Sequence, residues 1–305
     1  MNRRRFLHTS VLGFGAAALY RSVDAAPVPA IQFPTDPRAR LAIATYPFRE
    51  FVDPRKGKLA LLDFPRMAAD RYGVPGLEPL DRHFPSTDAA YLDKLRTAIE
   101  KAKMHVVNIP LGVEASFYDP DATRRGAAVA TAKRWIDVAV ALGSPSIRTH
   151  VEGKKGVKPD AALTAESLRA VADYGALKGV VIHLENDDPE TEDAFFIVDV
   201  ITRAGHPWLR GLPDFCNSML IGKGEEYNDK ALAAMFAHAY GISHVKDSEV
   251  DGKKLFRVDM ARIFSIAKAA GYRGYFSMEW EGATEPYAGT QSLIDASLKA
   301  LSEKI

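Results

Sequence analysis

Cysteine is almost missing from this chain. The single residue, Cys216, excludes an internal disulfide and a thiolate metal cluster. An excess of either charge is missing too. A net charge of +1 and a pI near 7.8 exclude the basic footprint that nucleic acid demands. No Gly-x-Gly-x-x-Gly follows the first strand candidate, which argues against a dinucleotide-binding, doubly wound sheet. No low-complexity tract and no compositional break marks a second domain. What is present is ample core: 47% of the 305 residues are hydrophobic, enough for one large domain.

The N-terminus reads as a targeting segment. Asn2-Arg3-Arg4-Arg5-Phe6-Leu7 precedes the apolar run Val11 to Leu19, which is too short to span a bilayer, and then Ser22-Val23-Asp24-Ala25-Ala26. Basic region, short apolar region and small residues form a signal peptide over 1–26, with cleavage expected near Ala25 or Ala26. Two arginines followed by x-Phe-Leu resemble the twin-arginine export signal, which implies the twin-arginine machinery as partner and a periplasmic destination. Residues 27–40, carrying Pro27, Pro29, Pro34 and Pro37, read as an extended lead-in.

From residue 41 to 305 the pattern alternates. Strand candidates begin at Leu41, Gly76, His105, Ser146, Val180, Leu212, Ile242 and Tyr275. Between and after them lie segments with apolar residues at helical spacing: 59–71, 86–99, 123–142, 160–178, 190–204, 228–240, 258–270 and 289–303. Eight strands alternating with eight helices predict a single (β/α)8 TIM barrel domain.

Val180-Val181-Ile182-His183-Leu184 is a β-branched run that ends in Glu185-Asn186-Asp187-Asp188, carboxylates no core would hold unpaired. Polar strand ends recur at Leu212-Pro213-Asp214, at His244-Val245-Lys246-Asp247 and at Ser277-Met278-Glu279-Trp280-Glu281. The steps from Glu185 to Asp214, His244 and Glu279 are 29, 30 and 35 residues. A barrel of roughly 250 residues spends roughly 31 on each unit, so these are successive strand ends. Glu185, Asp214, His244 and Glu279 are therefore candidate ligands of one divalent ion. Three carboxylates with one imidazole suit Mn²⁺, Mg²⁺, Co²⁺ or Zn²⁺. The net negative site would suit a neutral polyol more than an anion. Strand alternation points Glu281 to the same face as Glu279 and leaves the choice between them open. Lys246, Arg148 and His150 share faces with the site and are candidate substrate contacts, or, for Lys246, one side of a structural ion pair. Tyr46, Glu78 and Asn108 end earlier strands. His183, two residues before Glu185, is a candidate outer partner of the metal ligands. Trp135 and Trp280 read as packing residues.

Leu184-Glu185-Asn186, Pro213-Asp214-Phe215-x-Asn217, His244-Val245-Lys246-Asp247 and Ser277-Met278-Glu279 together resemble the sugar phosphate isomerase/epimerase family, the xylose-isomerase-like TIM barrels. The resemblance implies that Glu185, Asp214, His244 and Glu279 hold the metal. It implies that Glu185 and Glu279 act as the acid/base pair on a small carbohydrate, isomerising or epimerising a keto-sugar through an enediolate. Ketose epimerases of this family carry a histidine three residues after the aspartate; Asn217 stands there and becomes the candidate substrate contact. The same intermediate would serve a lyase or hydratase on keto-sugars or keto-glycosides, and the fold would serve a non-catalytic exported sugar-binding protein. Apurinic-site endonucleases of this barrel need histidine-rich three-zinc sites, against eight histidines and no basic excess here. A homo-oligomer is left open.

Overall fold

The computed structural model describes residues 27–282 and 285–303; the signal-peptide expectation lies outside them. Parallel strands β1 (Leu41–Ala44), β2 (Gly76–Glu78), β3 (His105–Val106), β4 (Pro110–Leu111), β5 (Ser146–Thr149), β6 (Val181–Glu185), β7 (Leu209–Leu212), β8 (Ile242–Val245) and β11 (Tyr275–Met278) form the wall. Their order is β3-β2-β1-β11-β8 and β4-β5-β6-β7. The two runs join into one barrel. β3 and β4 are one extended passage that passes from β2 to β5, and parallel bridges Gly211–Ala239 and Asp214–His244 link β7 to β8. Pro110 has no N–H to donate, and the Asn108 side chain turns to Glu78, so pairing lapses between them.

Helices α1 (Arg49–Val52), α2 (Phe64–Tyr72), α3 (Ala89–Lys101), α4 (Ala122–Leu142), α5 (Ala161–Lys178), α6 (Ala194–Ala204), α7 (Glu225–His238), α8 (Met260–Ala269) and α9 (Pro286–Ser302) surround the strands. Several are bounded by the same chemistry. Asp121, Asp160, Asp193 and Asp259 accept backbone N–H groups at the first turns of α4, α5, α6 and α8. α4, α5 and α6 end on the left-handed glycines Gly143, Gly179 and Gly205. No described helix is long and apolar enough to cross a membrane.

Two features depart from the sequence reading. The seventh strand ends at Leu212, so Asp214 stands two residues beyond it, joined to the wall by a bridge to His244. An antiparallel hairpin, β9 (Ser248–Asp251) and β10 (Lys254–Arg257), is inserted after β8, where the sequence reading assigned no element. Its two-residue turn, Gly252-Lys253, puts glycine at the first central position, where Gly252 adopts φ +58°. Phe256 buries the hairpin against Cys216 and Met219.

The lead-in is fastened to the bottom of the barrel. Trp208 Nε1–H donates to the Pro27 carbonyl, the Ile31 N–H to Tyr240 Oη, and Tyr240 O–H to the Pro29 carbonyl. Phe33 packs edge-on against Tyr240 and Tyr275 and closes a small cluster of Ala42, Val107, Leu212 and Ile242.

Candidate active site

Strand alternation builds the site in columns. Side chains two residues apart share the inner face, so the top of each strand delivers a stack: Ser146, Arg148 and His150; His183, Glu185 and Asp187; His244 and Lys246; Ser277, Glu279 and Glu281. The stacks meet at the C-terminal end of the barrel, where βα loops carry catalytic groups in this architecture.

Glu185, Asp214, His244 and Glu279 each offer a ligand atom there, and all four atoms lie within 4.8 Å of one another. His244 Nδ1 is 2.7 Å from Glu185 Oε1 and 3.0 Å from Glu279 Oε2. Its other nitrogen, Nε2, faces Glu78 Oε1 at 3.1 Å. Glu78 in turn accepts a 2.8 Å bond from Asn108 Nδ2, and Asn108 Oδ1 accepts from the Ser146 hydroxyl at 2.7 Å. This relay fixes the imidazole with Nδ1 toward the cluster, as a ligating histidine requires. The outer-partner role read for His183 belongs instead to Glu78. His183 lies a layer below, its Nε2 accepting the Gly241 N–H at 3.1 Å. A Cβ on Gly241 would lie 2.6 Å from the His183 ring, so glycine is required there.

Asp214 is prepared for a cation. Its Oδ1 accepts the N–H groups of Cys216 and Asn217 at 2.8 and 2.7 Å, which orients the carboxylate. Its Oδ2 is buried, aimed at the cluster and without a hydrogen-bond partner. Asn186 clamps the backbone of Asp214 on both sides, accepting from its N–H and donating to its carbonyl. Burial pushes the Asp214 carboxyl up to about 7 and raises Glu185 as well, despite the Lys246 charge near one and His244 and Arg148 near the other. Burial disfavours a charged imidazole at His244, but Glu185, Glu279 and Glu78 outweigh it and hold its pKa well above the usual value. Proton and divalent cation compete for the same lone pair, and the surplus of buried negative charge fits the residues to a metal ion.

The last strand resolves its own ambiguity. Glu279 reaches His244, whereas Glu281 pairs with Lys246 at 2.5 Å. Lys246 Nζ is a hub, 3.1 Å from Glu249 Oε2 and 3.5 Å from both Asp214 Oδ2 and Glu279 Oε2, and it donates to Asn217 Oδ1 at 2.9 Å. Lys246 is thus an ion-pair centre in this structure. Glu249 comes from the hairpin and went unread because that turn went unread. Arg148 Nε lies 2.9 Å from Glu185 Oε2, and its NH1 lies 2.5 Å from His150 Nε2. His150 Nδ1 faces Glu192 at 3.0 Å and Asp187 at 3.3 Å. Of the four residues read as substrate contacts, Arg148, Asn217 and Lys246 are buried, and His150 is the half-exposed one. It lines an open cavity of about 900 Å³ with residues of the loops after β5 and β6. Trp135 and Trp280 pack, against Phe84 and Gly289 respectively.

The site is less negative than its ligands alone suggest. Glu78, Glu185, Asp214, Glu249, Glu279 and Glu281 face two permanent cations, Arg148 and Lys246. Negative charge still prevails, and the cations lie on the flanks, beside Glu185 on one side and between Asp214 and Glu281 on the other.

The family model described as xylose isomerase-like TIM barrel matches residues 67–303. Among solved structures, the chain is similar to a xylose isomerase-like TIM barrel protein from Mycobacterium smegmatis in complex with magnesium. That match has 17% identity and a TM-score of 0.67, covering 86% of this chain and 98% of the other. It is similar to D-psicose 3-epimerase with D-tagatose from Clostridium cellulolyticum H10, at 17% identity and TM-score 0.65 over 86% of this chain and 96% of the other. It is also similar to 3-keto-D-glucoside 4-epimerase from E. coli, at 17% identity and TM-score 0.63 over 84% and 98%. No protein of curated function matches the chain significantly. At these identities the structural likeness carries the fold.

Proposed function

The chain belongs to the xylose isomerase-like TIM barrel family, and from that premise we propose that it is a divalent-metal-dependent sugar isomerase or epimerase acting on a keto-sugar or related polyol. The observation that carries this reading is the convergence of Glu185, Asp214, His244 and Glu279 within 4.8 Å, with Asp214 Oδ2 buried and without a hydrogen-bond partner. The epimerase names of two structural neighbours support the reaction class, and the magnesium in the name of a third supports the ion.

Those four residues would hold the ion, which when bound supplies positive charge to polarise a substrate carbonyl and the neighbouring hydroxyl. Glu185 and Glu279 both reach His244 Nδ1, at 2.7 and 3.0 Å, so both stand in one site, where one would remove a proton from a carbon and the other return one. A cation flanks each glutamate, Arg148 Nε 2.9 Å from Glu185 and Lys246 Nζ 3.5 Å from Glu279. An enediolate formed by proton removal would lie against this charged rim, and return of the proton to the same or the neighbouring carbon gives epimerisation or isomerisation.

The test has two readouts. Purified protein should bind about one equivalent of Mn²⁺ or Mg²⁺ by titration, and a panel of keto-sugars in deuterated water should take solvent label into a C–H position. Label in none of the panel would overturn the reading. The arginine-bearing N-terminus supports export on the twin-arginine route to the periplasm. Fusion of residues 1–30 to a reporter that fluoresces only when exported folded checks that part independently.

A further inference from the structure

Resting on the isomerase/epimerase reading, we propose that Glu192 and His150 are positioning residues: acting through Arg148, they fix the carboxylate of Glu185, and they do not bind substrate. Four side chains form one line of contacts. Glu192 Oε2 lies 3.0 Å from His150 Nδ1, His150 Nε2 lies 2.5 Å from Arg148 NH1, and Arg148 Nε lies 2.9 Å from Glu185 Oε2. The direction of donation is forced. A guanidinium has five N–H donors and no acceptor, so His150 Nε2 presents its lone pair to Arg148. His150 Nδ1 then carries the hydrogen and donates it to Glu192. An ionised carboxylate only accepts, so Glu192 selects that tautomer. Asp187 Oδ2, 3.3 Å from the same nitrogen, is a second and more exposed acceptor.

The fold commits Glu192 to this task. Asp188 Oδ1 accepts the N–H groups of Glu190 and Thr191, and the Asp188 carbonyl accepts the Glu192 N–H at 2.8 Å. The loop after β6 is thereby turned back toward the strand that carries Glu185. Glu192 is buried there, and its Oε1 accepts the Val151 N–H at the end of β5. Both of its oxygens are therefore engaged by the protein. Arg148 is buried as well, and two edges of its planar fork are held by different partners, which fixes the plane. Glu185 gains a fixed neighbour on Oε2 while its Oε1 faces His244. Glu279 is held differently, since Lys246 stands 3.5 Å from it and donates to Asn217 at 2.9 Å and to Glu281 at 2.5 Å. The line of contacts singles out Glu185 as the more tightly oriented of the two glutamates.

Three variants test this, Glu192→Gln, His150→Asn and His150→Gln, each read by Mn²⁺ titration and by solvent-label uptake into the keto-sugar that the parent labels fastest. An amide at 192 offers one oxygen where two are needed, so either His150 or Val151 loses its acceptor. At 150, an Asn amide reaches the place of Nδ1 and leaves Arg148 without an acceptor, whereas a Gln amide reaches the place of Nε2 and keeps one. Glu192→Gln and His150→Asn should lower kcat about 100-fold with KM little changed, and weaken Mn²⁺ binding about ten-fold. His150→Gln should keep kcat about ten-fold above His150→Asn and hold Mn²⁺ within about three-fold of the parent. A raised KM at unchanged kcat marks His150 as a substrate contact and overturns the proposal, as does His150→Gln performing no better than His150→Asn. Should Glu192→Gln fail to fold, the two His150 variants decide. Absence of label from every keto-sugar with the parent overturns the isomerase/epimerase reading, and the order of Mn²⁺ affinities then decides the positioning role alone. A parent that binds no Mn²⁺ overturns both.

Discussion

The two ends of the barrel are made from the same strands and have opposite chemistry. At the bottom, Ala42, Val107, Leu212, Ile242 and Tyr275 form a dry cluster closed by Phe33 from the lead-in. At the top, a few residues further along those strands, six carboxylates crowd around one histidine, one lysine and one arginine. The bottom lowers free energy by removing apolar surface from water. The top raises it, because buried like charges repel and Asp214 Oδ2 has no hydrogen-bond partner. The difference separates two tasks along one axis: residues at one end hold the barrel together, and residues at the other are poised for a ligand that offsets their repulsion.

The largest effect should come from the top. Glu185→Gln is expected to cut turnover by about 10³-fold. Asp214→Asn should abolish the rise in melting temperature on adding Mn²⁺ while leaving the metal-free protein equally or more stable, since it relieves buried repulsion. A metal-free Asp214→Asn protein that melts well below the parent would break the division of labour.

Acid should act next, through neutral histidines. Burial depresses His83 to about 4 and His183 to about 3, against about 6.5 in the unfolded chain. The folded state prefers both neutral, so their contribution is whole above pH 6.5 and lost as pH falls toward 4. For His83 alone the loss is on the order of 3 kcal/mol. Denaturant midpoints at pH 7.5 and 4.5 measure it, and a His83→Asn variant should show a shallower slope over that window.

Glu78→Gln should weaken metal binding by about 10- to 100-fold with the fold intact, because the amide no longer balances a charged or metal-loaded His244. Isothermal titration with Mn²⁺ reads this directly. The smallest effect belongs to the bottom: Phe33→Ala should cost about 2 kcal/mol, read as a drop of several degrees in melting temperature, with kcat unchanged. A change in kcat from that variant would show that the two ends are coupled.

Much of the top was legible in the linear order. Strand ends 29, 30 and 35 residues apart announced where Glu185, Asp214, His244 and Glu279 would stand, because a βα unit has a nearly fixed length. Glu78 was visible as a strand end but had no readable role, since its bond to His244 spans 166 residues. The hairpin and its Glu249 were missed although Asp251-Gly252 flagged the turn, because the alternation beside it is short and charged.

Local chemistry along the chain therefore determined the alternation of strands and helices, their aspartate and glycine boundaries, and which face of each strand carried polar groups. All of these depend on neighbours a few residues apart. Only the closed barrel decided that Glu279 and not Glu281 meets His244, that Lys246 balances Glu281 and Glu249, and that Phe33 closes the far end. Those choices depend on strand stagger and on charge summed across distant segments, and neither quantity exists until the wall has closed.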